Sequence, residues 1–178
     1  MSSPLLLSVC GGDGSTLTTS FQFVDGRFRH SITLRDSDGK TIDHWDDEAQ
    51  SDNDDWPASP PIQQLSLESI HGSSALLGVG QAGKSHWSIS VEATLLDSKP
   101  VLKFDLACRC RAQPSWLGST YQRLVSIADQ VPMLRVIDVE PIKPSADGTL
   151  ILSCEVAPSP SPKYPTTFRW SYLVTVAN

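Results

Sequence analysis

This chain has little of what a helix-built, exported or nucleic-acid-binding protein needs. No run approaches the roughly 18 consecutive apolar residues of a membrane-spanning helix, so no such helix is expected. Bases are scarce: 14 lysines and arginines stand against 20 acids, for a net charge of −6. That balance argues against nucleic acid or an anionic membrane as a general partner. Charged residues make up 19% of the chain beside 39% hydrophobic residues, the composition of a folded domain and not of a disordered one. There are four cysteines, Cys10, Cys108, Cys110 and Cys154, and a domain of 178 residues can bury an adequate core without disulfides. Leu5, Leu6 and Leu7 precede Cys10, but no basic residue precedes them and the apolar run is short for an export signal. The expectation is a strand there and a cytoplasmic protein.

Helical periodicity is also missing. The best candidate, residues 119–131, carries Tyr121, Arg123, Val125 and Ile127 at a spacing of two, which fits a strand as well. What the chain has instead is period-two alternation that survives pairing. Asp25-Gly26 lies between two such runs, a strong hairpin signal because a type I′ turn needs φ > 0 at both central positions. Folding there sets Phe23 opposite Phe28, Phe21 opposite His30, Thr19 opposite Ile32 and Leu17 opposite Leu34. The other face pairs Gln22 with Arg29, Ser20 with Ser31 and Thr18 with Thr33. One register sorts both strands into an apolar and a polar face. His30, beside Phe21, is expected to be semi-buried and hydrogen-bonded and not a ligand.

A second hairpin follows the same logic. A turn at Ser98-Lys99 pairs Leu95 with Leu102, Ala93 with Phe104, Val91 with Leu106, Ile89 with Cys108 and Trp87 with Cys110. Its polar face then sets Glu92 opposite Asp105, Ser90 opposite Ala107, Ser88 opposite Arg109 and His86 opposite Arg111. Alternation recurs at Leu150, Leu152, Cys154 and Val156, and again from Phe168 to Val176. Weaker strand patterns lie near 3–9, 41–45, 61–69, 74–80, 118–127 and 133–140, with turn signals at Asp38-Gly39 and Asp147-Gly148. The expected fold is all-β: one antiparallel β-sandwich domain over residues 1–178, a jelly roll or related two-sheet architecture with little or no helix. An acidic loop is expected at 46–60 and a stiff Pro-rich loop at 157–165.

Several motifs have a plain structural reading beside a chemical one. Gly78 to Ser85 satisfies G-x-x-x-x-G-K-[ST], in which Lys84 and Ser85 would serve a nucleotide phosphate and its magnesium. That chemistry needs a helix after the loop, and the residues after Ser85 alternate as a strand, so a Gly-rich hairpin loop is expected instead. Cys108 and Cys110 fall on the apolar face, as core thiols do, and no fourth ligand stands at a zinc-site spacing. From Asp36 to Trp56 the chain has nine acids and one lysine, a local charge of −8. No part of this segment matches the calcium loop with its closing glutamate, and a solvated loop is the expected reading. No metal or other cofactor is expected.

The polar face of the second hairpin holds the candidate site. Carboxylates placed directly opposite repel unless a cation or ligand compensates. Glu92, Asp105, His86 and Arg109 could hydrogen-bond a ligand there, and loop tryptophans Trp56 or Trp116 could stack on it. The expected function is that of a binding module without catalytic activity, its partner an unknown small molecule, glycan or protein. An enzyme acting on carbohydrate is the alternative, with Glu92 or Asp105 as general base and His86 as general acid. Nucleotide binding through Lys84 and Ser85 is a further, weaker one.

Overall fold

The computed structural model describes residues 3–48, 53–70, 72–124, 133–137, 148–154 and 163–177. Among them there is no helix, so none long and apolar enough to cross a membrane. Twelve strands among the described residues form two six-stranded sheets. The chain first lays down a four-strand meander: β1 (Leu5–Cys10), β2 (Thr16–Val24), β3 (Arg27–Arg35) and β4 (Thr41–Asp47). It crosses to the other sheet and lays down a second: β5 (Ile62–Ile70), β6 (Ser73–Ala82), β7 (Ser85–Leu96) and β8 (Lys99–Cys110). Four further strands alternate between the sheets. β9 (Gly118–Arg123) joins β4 and β11 (Thr149–Ser153) joins β9, while β12 (Thr166–Val176) joins β8 and β10 (Leu134–Ile137) joins β12. The all-β antiparallel sandwich is therefore the related two-sheet form, built from meanders where a jelly roll has Greek keys.

The first hairpin has the register its sequence predicts, from Leu17 against Leu34 to Phe23 against Phe28. Asp25 and Gly26 sit at φ 50° and 84°, as a type I′ turn demands. The second hairpin differs. It turns one residue earlier, at Asp97 and Ser98 (φ 49° and 65°), and the register moves by two residues. Glu92 therefore faces Lys103, and Asp105 faces Ser90. The reason is Pro100. A turn at Ser98-Lys99 would require Pro100 to donate the hydrogen bond that closes it, and proline has no N–H. The observed turn closes on Leu96 and Lys99 instead. A shift of two keeps every side chain on its face, so the division into apolar and polar faces is unchanged.

The inner faces meet in one core. Leu17, Phe21, Ile32 and Leu34 come from the first sheet, and Leu76, Val91, Leu102, Phe104 and Val174 from the second. Trp45 is also buried there. A polar chain crosses this core. His30 Nε2 and Tyr121 Oη lie 2.8 Å apart, and Tyr121 Oη shares a 2.7 Å hydrogen bond with Tyr172 Oη on the opposite sheet. Burial drives the His30 pKa down and holds both tyrosines above their ordinary values.

The acidic segment departs from its expected reading at Asp43 and Asp47, which are strand residues buried in the sandwich. Asp47 accepts a 2.7 Å hydrogen bond from Arg29 Nε. Asp43 pairs with Arg123 Nε at 2.8 Å and accepts the backbone N–H groups of Met133 and Leu134 at 2.9 and 3.0 Å. Acidic side chains read as solvated are thus internal partners of arginines. Of the 46–60 loop, residues 53–55 are exposed and the part from Trp56 onward is packed: Ser59 Oγ donates to the Thr120 carbonyl and accepts its N–H. Residues 49–52, His71 and most of the Pro-rich stretch (157–162) lie outside the described residues.

Candidate functional site

β12, β8, β7, β6 and β5 lie side by side, and their outward side chains form rows across the sheet. Arg169, Ala107, Ser88, Val79 and Gln64 make one row; Ser171, Asp105, Ser90, Leu77 and Ser66 make the next. Thr167, Arg109, His86 and Gln81 bound these rows at one end, and Leu173, Lys103, Glu92 and Ala75 at the other. Small side chains at the centre, Ser88, Ser90 and Ala107, leave a low floor. An open trough of about 1010 Å³ runs over the two middle rows. A second depression of about 510 Å³ adjoins it and is lined by His86, Arg109 and Arg169. Beneath the floor the buried rings of Trp87 and Trp170 pack edge to face at 6.0 Å.

The structure brings together some of the residues expected here and separates others. His86 and Arg109 face each other directly, where the register expected from a Ser98-Lys99 turn would have set His86 against Arg111. Glu92 and Asp105 are not opposite. Lys103 Nζ lies 2.9 Å from Asp105 Oδ2 and directly across from Glu92. Its hydrogen bond to Asp105, with attraction from Asp105 and Glu92, raises the lysine pKa. The like-charge pair is therefore compensated within the protein. His86 is six residues along β7 from Glu92, roughly 20 Å at the rise of a strand, so the two do not flank one bond of a substrate.

Trp56 and Trp116 do not reach the trough. Trp56 is half-buried against the core. Trp116 is half-buried too, and its Nε1 donates to the Ala58 carbonyl at 3.4 Å. Lys84 lies in the tight β6–β7 turn, and Ser85, the first residue of β7, is buried. The glycines of this motif answer to packing. A Cβ at Gly80 would stand 1.8 Å from the Pro61 carbonyl oxygen, and one at Gly78 would stand 2.7 Å from Ile62. Those contacts let β5 lie close over β6, and a strand follows where a phosphate loop would need a helix.

Cys108 and Cys110 are fully buried on the inner face with sulfurs 3.4 Å apart, and burial pushes both thiols above their ordinary pKa. Asp36 Oδ1 accepts the N–H groups of Asp38 and Lys40, closing the β3–β4 turn. Among the described residues no three His, Cys, Asp or Glu side chains converge as metal ligands.

Arg169 is the residue that sequence reasoning missed. It stands on the polar face of β12, one row from Arg109. Among the described residues neither guanidinium has an ion-pair or hydrogen-bond partner. The alternation of β12 places Arg169 outward, but its meeting with β8 depends on a long-range pairing. Comparison with family models, curated proteins and solved structures finds no match to this chain.

Proposed function

We propose that the protein is a binding module without catalytic activity, which holds an extended polar ligand, best matched by an oligosaccharide, across the outer face of the second sheet. The trough floored by Ser88, Ser90 and Ala107 is the observation that carries this reading. It is long, shallow and lined by short hydroxyls and amides, with Leu77 and Val79 exposed along one side. Such a surface suits a chain of sugar rings, which present hydroxyls at their edges and C–H groups on their faces. The compensated Asp105 and the distance between His86 and Glu92 favour binding over acid–base chemistry. The four cysteines, none of them in a disulfide, agree with a cytoplasmic setting.

A thermal-shift panel of neutral and charged oligosaccharides tests the reading, because a ligand that binds only the folded state raises the apparent stability. A Ser88→Tyr variant, which fills the floor from an exposed position, should keep its fold and lose the shift. An equal shift in that variant would place the ligand elsewhere.

A further inference from the structure

We infer that the basic end of the trough is an anion clamp, and that the ligand is an acidic oligosaccharide whose carboxylate or sulfate group sits between Arg109 and Arg169. This rests on the reading of the outer face as a binding surface and adds the charge of what it binds. The chain has 20 acids, yet these two arginines are left without one among the described residues. Other arginines are engaged, Arg29 with Asp47, Arg123 with Asp43, and Arg35 with the Gly39 carbonyl and Thr41, while Arg111 and Arg135, which lie outside the lining of the trough, are like Arg109 and Arg169 without an acid among the described residues. The nearest acid on the face, Asp105, is held by Lys103.

Arg109 faces Thr167 on β12, and Arg169 stands two residues further along that strand. Such diagonal neighbours are roughly 7 Å apart at the backbone, within reach of one anionic group for two long side chains. Each guanidinium offers a planar fork of donors that matches a carboxylate or sulfate. His86, directly across from Arg109, adds a further ring nitrogen at the same end.

The face also argues for a sugar over a peptide. Peptides that add to sheets use a free edge, and here the trough crosses strands whose backbone groups are already paired. The floor offers serine hydroxyls and no deep apolar pocket for an anchoring side chain. Among the described residues no aromatic ring stands on its outer surface to stack on a neutral pyranose, so charge is left to supply selectivity.

Calorimetry separates the possibilities, with a galacturonate hexamer, a heparin-derived hexasaccharide, maltohexaose and a thymidylate hexamer as probes. The wild type should bind one or both acidic sugars. Affinity should fall at least about tenfold in the Arg109→Gln/Arg169→Gln double variant, as expected for lost hydrogen bonds to a charged group. It should also fall between about 0.05 and 0.5 M NaCl, as screening requires. Lys40→Gln, on the β3–β4 turn of the other sheet, should bind as the wild type does. Maltohexaose binding equally well, and undiminished in the double variant, would overturn the clamp and leave the binding face standing. Tighter binding of the thymidylate hexamer would overturn the assignment to a sugar. If no hexasaccharide bound at millimolar concentration, the binding-face reading would fall. The clamp would then be judged by titrating sodium sulfate against the Arg109 and Arg169 Nε–H resonances: saturable shifts would uphold the anion site and their absence would remove it.

Discussion

His30 shows how a single buried residue makes the fold sensitive to acid. Its ring stacks on Phe21 at 4.8 Å and meets Tyr121 at Nε2, and Nδ1 lies 3.6 Å from Asp47. Burial lowers its pKa below 6.5, with Arg29 acting in the same direction and Asp47 and Asp46 opposing. The core therefore holds the neutral ring, while the unfolded chain takes up a proton at its ordinary value. This contribution to stability is complete above about pH 6.5 and is lost as pH falls from there toward the folded-state value. Urea unfolding at pH 7.5, 6.5 and 5.5 should show that loss in the wild type. His30→Gln should be about 1–3 kcal/mol less stable at pH 7.5 and should lose less on acidification. A parallel decline in both proteins would place the acid sensitivity in other groups. Asp43 is a second such residue, serving Arg123 and two backbone N–H groups at once. Asp43→Asn leaves the arginine buried without its charge partner, and equilibrium denaturation should register a loss of about 3–5 kcal/mol.

At the scale of the element, the β7–β8 hairpin separates what the sequence discloses from what it withholds. Its turn residues have φ of 49° and 65°, which proline cannot adopt and glycine adopts freely. Ser98→Pro should destabilise the protein by about 3 kcal/mol or more, and Ser98→Gly should raise its stability by up to about 1 kcal/mol, both read by thermal unfolding. If Ser98→Pro were neutral, the turn would lie elsewhere. The two faces of this hairpin were legible because alternation survives any even shift, whereas the pairing partners of Glu92 and Asp105 depended on the turn. Pro100 held that information, through its missing N–H. The β2–β3 register was readable in full because Asp25-Gly26 fixes its own turn. Arg169 and the trough were not readable, since β12 reaches β8 across more than fifty residues and nothing local in the sequence specifies that neighbour. Asp43 and Asp47 were misread for a related reason: their arginine partners lie 80 and 18 residues away. Close approach is equally invisible from sequence, and Gly80→Ala tests it. The new methyl would collide with the Pro61 carbonyl, so β5 should detach locally and stability should fall by about 1–3 kcal/mol.

For the whole molecule, the question is whether two sheets laid down by separate stretches of chain behave as one unit. The last four strands are dealt alternately to each sheet, so the C-terminal third of the chain cannot be assigned to either half. The Tyr121–Tyr172 hydrogen bond joins the sheets through the centre of the core. Asp43, on β4 of one sheet, holds the backbone at the start of β10 of the other. Buried residues from both inner faces form a single apolar cluster. Each connection would be broken if either sheet opened alone, and so unfolding should be cooperative across the sandwich. The buried tryptophans allow a direct test, since Trp45 belongs to the first sheet and Trp87 and Trp170 to the second. Variants retaining either Trp45 or the Trp87–Trp170 pair, with every other tryptophan, Trp56 and Trp116 included, changed to phenylalanine, report on one sheet each. Within each variant, the fluorescence midpoint in urea should coincide with that of far-UV circular dichroism. A fluorescence transition that precedes the loss of strand signal would show that its sheet opens first, and that the cross-sheet bonds do not couple the halves.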